Sequence, residues 1–227
     1  MSQFILVHSP LVGPSTWRWV AEALAGRGHR VTVPVVRSVI TPLDWEGFAS
    51  AMAAQIDAEG PAILVGHSGA GPILPQIRAR ARRPPEALLF VDAGVPPEAG
   101  DAELVPPDLL VELRAMTVDG LLPKWSSWFG PGVMEELVPD PGQRAAVGDD
   151  LPQLPLSYFE TRVPVPSGWT NAACGYVRLS EAYAAAAAEA ASRGWPLVEL
   201  PGAHLDIVAR AEPVTVAILA VAAELAG

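Results

Sequence analysis

A serine, an acid and a histidine, in that chain order, can attack a carbonyl and pass a proton along, and this sequence carries such a set. Ser68 stands in "AILVGHSGAGPIL" (62–74), where an apolar run enters a glycine-flanked serine and then a helix-like segment. A nucleophile elbow reads G-x-S-x-G because the turn is so tight that only tiny residues fit two places either side of the serine. Gly66 meets that need; Ala70 replaces the second glycine and adds one methyl group, which the turn is expected to tolerate. His204, in "LVELPGAHLDIVARAEP", follows the last strand-like run. A loop imidazole at a strand's carboxyl end is the kind of group that can take the serine proton and return it to a leaving group. The first candidate acid is Glu181, directly after "CGYVRLS", and the second is Asp92, at the end of "EALLFVDAG"; Asp206 reads as a helix-start cap.

Competing chemistries fit less well. Glycine-rich strand-to-helix turns also bind dinucleotides, but "GHSGAG" does not match G-x-G-x-x-G and does not follow the first strand. The four histidines are scattered with no H-E-x-x-H, and there is one cysteine, so no metal site is expected. His67 reads as a packing residue and His29 as a surface turn residue. His8 is expected either to line the pocket or to hold the Ser9–Pro10 loop. Cys174 is expected to be buried and inert.

The elements that must position these groups alternate regularly. Unbroken apolar runs at 3–9, 29–36, 62–68, 86–94, 174–180 and 196–202 read as parallel strands covered on both faces. Helical patterns lie between and after them: 15–28, capped by Ser15 or Thr16; 44–60, capped by Asp44; the alanine-rich 181–194; and 213–227. The fold class is therefore α/β, a mainly parallel central sheet with helices on both faces. Ser68 ends the third strand, expected to be central, which lifts its hydroxyl above the carboxyl edge of the sheet where ligands bind. The Gly69 N–H, near a helix N-terminus, is aimed where an oxyanion would develop. Pro72 suits the first helical turn, whereas Pro75 is expected to kink the helix.

The region 95–170 breaks the pattern. It holds "PPEAG", "VPPD", "PDPG", "LPQLPL" and "VPVPSGW" with short helical pieces such as "DLLVELRAM". A connection that long in a compact domain is usually a lid or functional insertion, so 1–94 and 171–227 are read as the core and 95–170 as a small cap. Within it, Trp125, Trp128 and Phe129 at i, i+3 and i+4 form one apolar stripe on a helical segment, which either docks the cap or roofs an apolar pocket. Trp17 and Trp19 are expected in the core.

Composition narrows the partners. The 227 residues are half hydrophobic with 18% charged, which fits one globular domain carrying an insertion. A net charge of −10 argues against nucleic acid, whose phosphates need a basic face. The opening "MSQFILVHSP" lacks a basic leader and no run approaches the ~20 apolar residues that span a bilayer. With a single cysteine, the expected setting is cytoplasmic, the expected partner a small molecule rather than a membrane, and a homodimer is left open.

With "GHSGAG", "GAHLD" and "FILVHSPLVGPSTW" in place, the chain resembles the α/β-hydrolase superfamily, in particular small bacterial members whose first strand leads into an H-G-x loop and a tryptophan-bearing helix. The resemblance covers the whole chain apart from the cap. It implies a Ser–His–acid triad, no cofactor and acyl-type hydrolysis. In that family the residue at the x of H-G-x supplies an oxyanion N–H, but "HSPL" puts Pro10 there, which has none. Leu11 N–H or the Ser9 hydroxyl is left to donate; losing one such donor costs ~10²–10³ in turnover. The leading expectation is a serine hydrolase of a small, largely apolar ester, thioester or lactone. The alternatives are a lyase or cyclase of secondary metabolism using the same groups for acid–base chemistry, and a ligand-binding protein on a hydrolase shell.

Overall fold

The computed structural model describes residues 2–36 and 44–226. The final Gly227 of the predicted C-terminal helix lies outside them. Strands β1 (Gln3–Val7), β2 (Arg30–Thr32), β3 (Ala62–Ser68), β4 (Ala87–Ala93), β7 (Ala173–Arg178) and β8 (Leu197–Glu199) form one sheet in the order β2-β1-β3-β4-β7-β8, all pairs parallel. β3 and β4 are its centre, as the unbroken apolar runs require: both are buried almost end to end. The edge strands are shorter than the sequence predicts. Pro34 ends β2 and Pro201 follows β8, each lacking the N–H that a ladder needs.

Alternation along each strand divides the core into two layers. Phe4, Leu6, Ile63, Val65, Leu89 and Val91 face helices α1 (Arg18–Gly26) and α10 (Ala211–Leu225). Ile5, Val7, Leu64, Leu88 and Phe90 face α2 (Trp45–Ala53), α3 (Leu74–Arg80) and α8 (Ala184–Ser192). Asp44 caps α2 as expected, accepting from Gly47 N–H (2.7 Å). Neither Ser15 nor Thr16 caps α1. Pro14 opens a 3₁₀ turn (Pro14–Trp17), and the Thr16 hydroxyl donates back to Gly13 O (2.8 Å). Trp17 is fully buried, while Trp19 is only half-buried, under the Arg18 guanidinium.

After Ser68 the chain makes a 3₁₀ turn (Gly71–Ile73) before α3 begins, so Pro75 falls in the first turn of α3 rather than kinking its middle. A proline there deprives the helix of no bond, because the first-turn N–H groups have no intrahelical partner.

Between β4 and β7 the elements are short: β5 (Asp101–Glu103), α4 (Pro107–Met116), α5 (Val133–Leu137), α6 (Pro141–Asp149), α7 (Leu156–Glu160) and β6 (Arg162–Pro164), with β5 and β6 paired antiparallel. The final short helix α9 (Asp206–Ala209) follows β8. No helix among the described residues is long and apolar enough to cross a membrane.

Candidate active site

Ser68 sits where β3 turns into the 3₁₀ segment, with φ 57°. A non-glycine residue in the left-handed region costs roughly 1–3 kcal/mol and persists only where its surroundings enforce it. Two glycines permit that turn. A Cβ at Gly66 would lie 2.7 Å from Leu74 Cδ1, and one at Gly71 would overlap the Gly94 carbonyl oxygen. The strict need for glycine thus falls three places after Ser68, not two, and Ala70 is accommodated, fully buried.

Asp92 is also left-handed, with φ 43°. The β3–β4 register shifts beside it: His67 pairs with Val91, and Ser68 with Ala93. Asp92 is therefore a bulge residue, and a bulge re-aims its side chain. The Tyr176 hydroxyl secures the distortion from β7, donating to Ala93 O (2.8 Å) and accepting from Ala93 N–H (3.1 Å). The Asp92 carboxylate is fully buried and has four donors. Oδ1 accepts from Leu179 N–H and Ser180 N–H (both 2.9 Å), and Oδ2 from Ser180 Oγ–H (2.6 Å) and His204 Nδ1–H (2.7 Å). Burial alone would push this carboxyl up; the imidazole and the Ser180 donors outweigh it and hold it below the usual carboxylate range.

Because His204 Nδ1 carries the proton given to Asp92, Nε2 is free to accept, and Ser68 Oγ–H donates to it at 3.0 Å. Ser68, His204 and Asp92 form one hydrogen-bonded chain. The loop carrying His204 is held by Asp206, which accepts from Ala203 N–H (3.0 Å) and Arg210 Nη1 (3.1 Å).

The imidazole of His204 lies between two rings. His67 stacks on one side (centroids 4.5 Å, 28°) and its Nε2–H donates to the His204 carbonyl (3.0 Å). Burial first, then the neighbouring His204, pushes His67 down to about 3 against the pull of Asp92, so it is neutral. Tyr183 stacks as well (5.2 Å, 10°), with its hydroxyl 3.3 Å from Ser68 Oγ. Burial first pushes that phenol up to about 12.

Glu181 is not in this cluster. Its side chain is 89% exposed and accepts from Arg178 Nη1 (2.9 Å) at the surface. It opens the 3₁₀ turn Glu181–Tyr183, with its side chain turned to solvent. In the loop after β1, Ser9 is buried, and its Oγ accepts from Leu11 N–H (3.3 Å). The Leu11 donor is thereby engaged, while the Ser9 proton stays available. Ser9 Oγ lies 3.0 Å from where a Gly69 Cβ would be, so both stand beside the nucleophile. Pro10 lies in the turn between Ser9 and Leu11, its Cδ 3.7 Å from the same Gly69 position, and it does not line the small space over Ser68. His8 does hold the loop, Nδ1–H donating to Ser9 O (2.8 Å), while Pro10 and His8 line a second cavity of about 480 Å³. Burial lowers the affinity of His8 for a proton.

The predicted Trp125–Trp128–Phe129 stripe is divided, because the segment is a single 3₁₀ turn (Trp125–Ser127) rather than an α-helix. Trp125 is buried 6.4 Å from the His204 ring and, with Ser9, Leu11 and His204, closes the space over Ser68 to about 10 Å³, room for a water. Trp128 is half-buried and donates from Nε1 to Pro123 O (2.9 Å); Phe129 is 41% exposed. Neither lines that space. Cys174 is buried, its thiol pushed up to about 12 by desolvation.

Sequence reasoning missed Tyr183, Ser180 and Tyr176. The available signal for Tyr183 is one aromatic residue at the start of an alanine-rich helix, where nothing in the helix itself calls for it.

A central parallel sheet with a strained serine at the end of β3, an acid at the end of β4 and a histidine after β8 fits the α/β-hydrolase fold, and the chain has that fold. No family model matches the sequence. The carbendazim hydrolyzing esterase of Nocardioides sp. (strain SG-4G) is 32% identical over 131 residues, which cover 53% of this chain and 54% of that protein. The match thus spans about half the length of the curated relative. An extracellular α/β-hydrolase from a Paenibacillus species superposes with TM-score 0.76 at 16% identity, covering 97% of this chain and 99% of that one. Tomato methylketone synthase I, as its H243A variant with β-ketoheptanoate, superposes with TM-score 0.76 at 14% identity over 99% and 98%.

Proposed function

We propose that the protein is a cofactor-independent serine hydrolase acting on a small, largely apolar ester, thioester or lactone. The observation that carries this reading is the Ser68–His204–Asp92 chain, with links of 3.0 and 2.7 Å. In this reading Ser68 Oγ attacks the acyl carbon while His204 Nε2 takes its proton, and Asp92 keeps the imidazole in the required tautomer. Gly69 N–H and Ser9 Oγ–H receive the oxyanion, the hydroxyl standing in for the N–H that Pro10 lacks. His204 then protonates the leaving group, and water releases the acyl-enzyme by the reverse sequence. The name of the Nocardioides relative fits an ester-cleaving activity.

The segment 95–170 acts as a cap over the 1–94 and 171–227 core. Trp125 roofs the site, and a space of only about 10 Å³ supports its shifting to admit substrate. The net charge of −10 and single cysteine support a cytoplasmic enzyme with a small-molecule partner.

A second reading, lyase or cyclase chemistry by the same groups, is favoured by Pro10, which removes a backbone donor from the oxyanion loop. Turnover in ¹⁸O-labelled water separates the two. Hydrolysis leaves one solvent oxygen in the acid product; product formation without label would replace hydrolysis by the second reading.

A further inference from the structure

Resting on the hydrolase reading above, we propose that Tyr183 is a catalytic residue, its hydroxyl donating to the leaving-group oxygen as the acyl–oxygen bond breaks. Ser68 Oγ has two partners, His204 Nε2 at 3.0 Å and Tyr183 Oη at 3.3 Å. The serine proton goes to the imidazole, so the phenol is the donor in the second contact. The phenol and imidazole planes lie 10° from parallel with centroids 5.2 Å apart, and the polar edges of both rings point at the same oxygen.

In acylation the Ser68 Oγ–carbon bond forms, the carbonyl π electrons move onto the oxyanion, and the serine proton passes to His204 Nε2. When the carbonyl re-forms, the carbon–leaving-group bond breaks and its electron pair takes the proton from Nε2. That oxygen must therefore come within hydrogen-bond reach of Nε2. Tyr183 Oη, stacked beside the imidazole, is then next to it, while Gly69 and Ser9 attend the other oxygen. Tyr183 keeps its own proton throughout. A phenol whose acidity is weakened by burial suits that part, since it stays a neutral donor across the working pH range. Once Ser68 Oγ has bonded to the acyl carbon, in the tetrahedral intermediate, its lone pair is no longer the acceptor it was, which frees the phenol to turn to the leaving-group oxygen before that bond breaks.

The test is kcat/KM of wild type and Tyr183→Phe for acetate esters of increasingly basic leaving groups, from p-nitrophenol through phenol to ethanol. The phenylalanine ring preserves the stack on His204. The loss is expected to grow along the series, from within about threefold for p-nitrophenyl acetate to about 10² for ethyl acetate, the scale of one lost transition-state donor. Labelling of Ser68 by a fluorophosphonate, whose fluoride leaves without a proton, is expected to go to completion in Tyr183→Phe, which shows that the variant is folded and its nucleophile present. Tyr183→Leu, which also removes the ring, is expected to add a loss equal for every ester. A loss of the same size across the series in Tyr183→Phe, or none, overturns the assignment and leaves the hydrolase reading standing. A wild type that cleaves none of these esters and takes no fluorophosphonate overturns both.

Discussion

The carboxyl edge of the central sheet and the segment between β4 and β7 are built by opposite means. At the edge, the groups are fixed by long-range bonds: Asp92 by four donors, Ala93 by Tyr176, His204 by Asp92 and His67. In the segment, short helices and one small antiparallel pair leave Val111, Val118, Leu121 and Phe129 exposed, and only Trp125 reaches the site. In the proposed reading the first region holds atoms to within the tolerance that proton transfer demands, and the second shapes what can approach them. Substitutions at the edge should therefore change turnover by orders of magnitude, and those in the segment should change which substrate is taken.

The sharpest contrast is within the edge itself. Asp92→Asn is expected to lower kcat by about 10⁴, because an amide favours the wrong imidazole tautomer, while Glu181→Gln stays within about twofold of wild type. Steady-state kinetics on folded variants checks both. Next in size is Ser9→Ala, expected to lower kcat by about 10² with little change in KM, as for a lost oxyanion donor. Gly71→Ala is expected to destabilise by about 2 kcal/mol, since its methyl meets the Gly94 carbonyl, whereas Ala70→Gly costs under about 1 kcal/mol; urea midpoints measure both.

A pH dependence of stability follows from His67. The unfolded chain takes up a proton there near 6.5 and the folded chain only near about 3. Protons therefore favour the unfolded chain across that window, and stability falls as pH drops through it, by up to about 1.4 kcal/mol per unit from this residue. His8, lowered by burial, adds to the same slope. His67→Gln, which keeps a donor for the His204 carbonyl, is expected to flatten it in thermal melts. The smallest effects belong to the segment: Phe129→Ala should leave kcat unchanged, and Trp125→Ala should alter KM and substrate size preference more than kcat.

What the sequence makes legible follows the same division. The apolar runs and the helical patterns place six strands and the helices α1, α2, α8 and α10 because burial on two faces imposes its periodicity on the residues. Ser68 and His204 are legible because a tight turn and a titratable loop residue leave local marks. Asp92 lies at the end of β4 and Glu181 three places beyond β7, and the choice between them turns on a bulge created by the register of β3 against β4, which no local pattern encodes. Tyr183 is hidden for a similar reason: its partner lies 115 positions away in the chain. In the segment, the tryptophan spacing suits an α-helix, but flanking prolines and glycines leave only a 3₁₀ turn, so three expected pocket residues reduce to one.

The central claim is that Ser68 is a primed nucleophile, and intact-mass analysis after a fluorophosphonate tests it most directly. Wild type is expected to gain one phosphonyl adduct, lost in Ser68→Ala and slowed by about 10⁴ in Asp92→Asn. An unlabelled wild type that is folded, or an adduct that persists in Ser68→Ala, would contradict it.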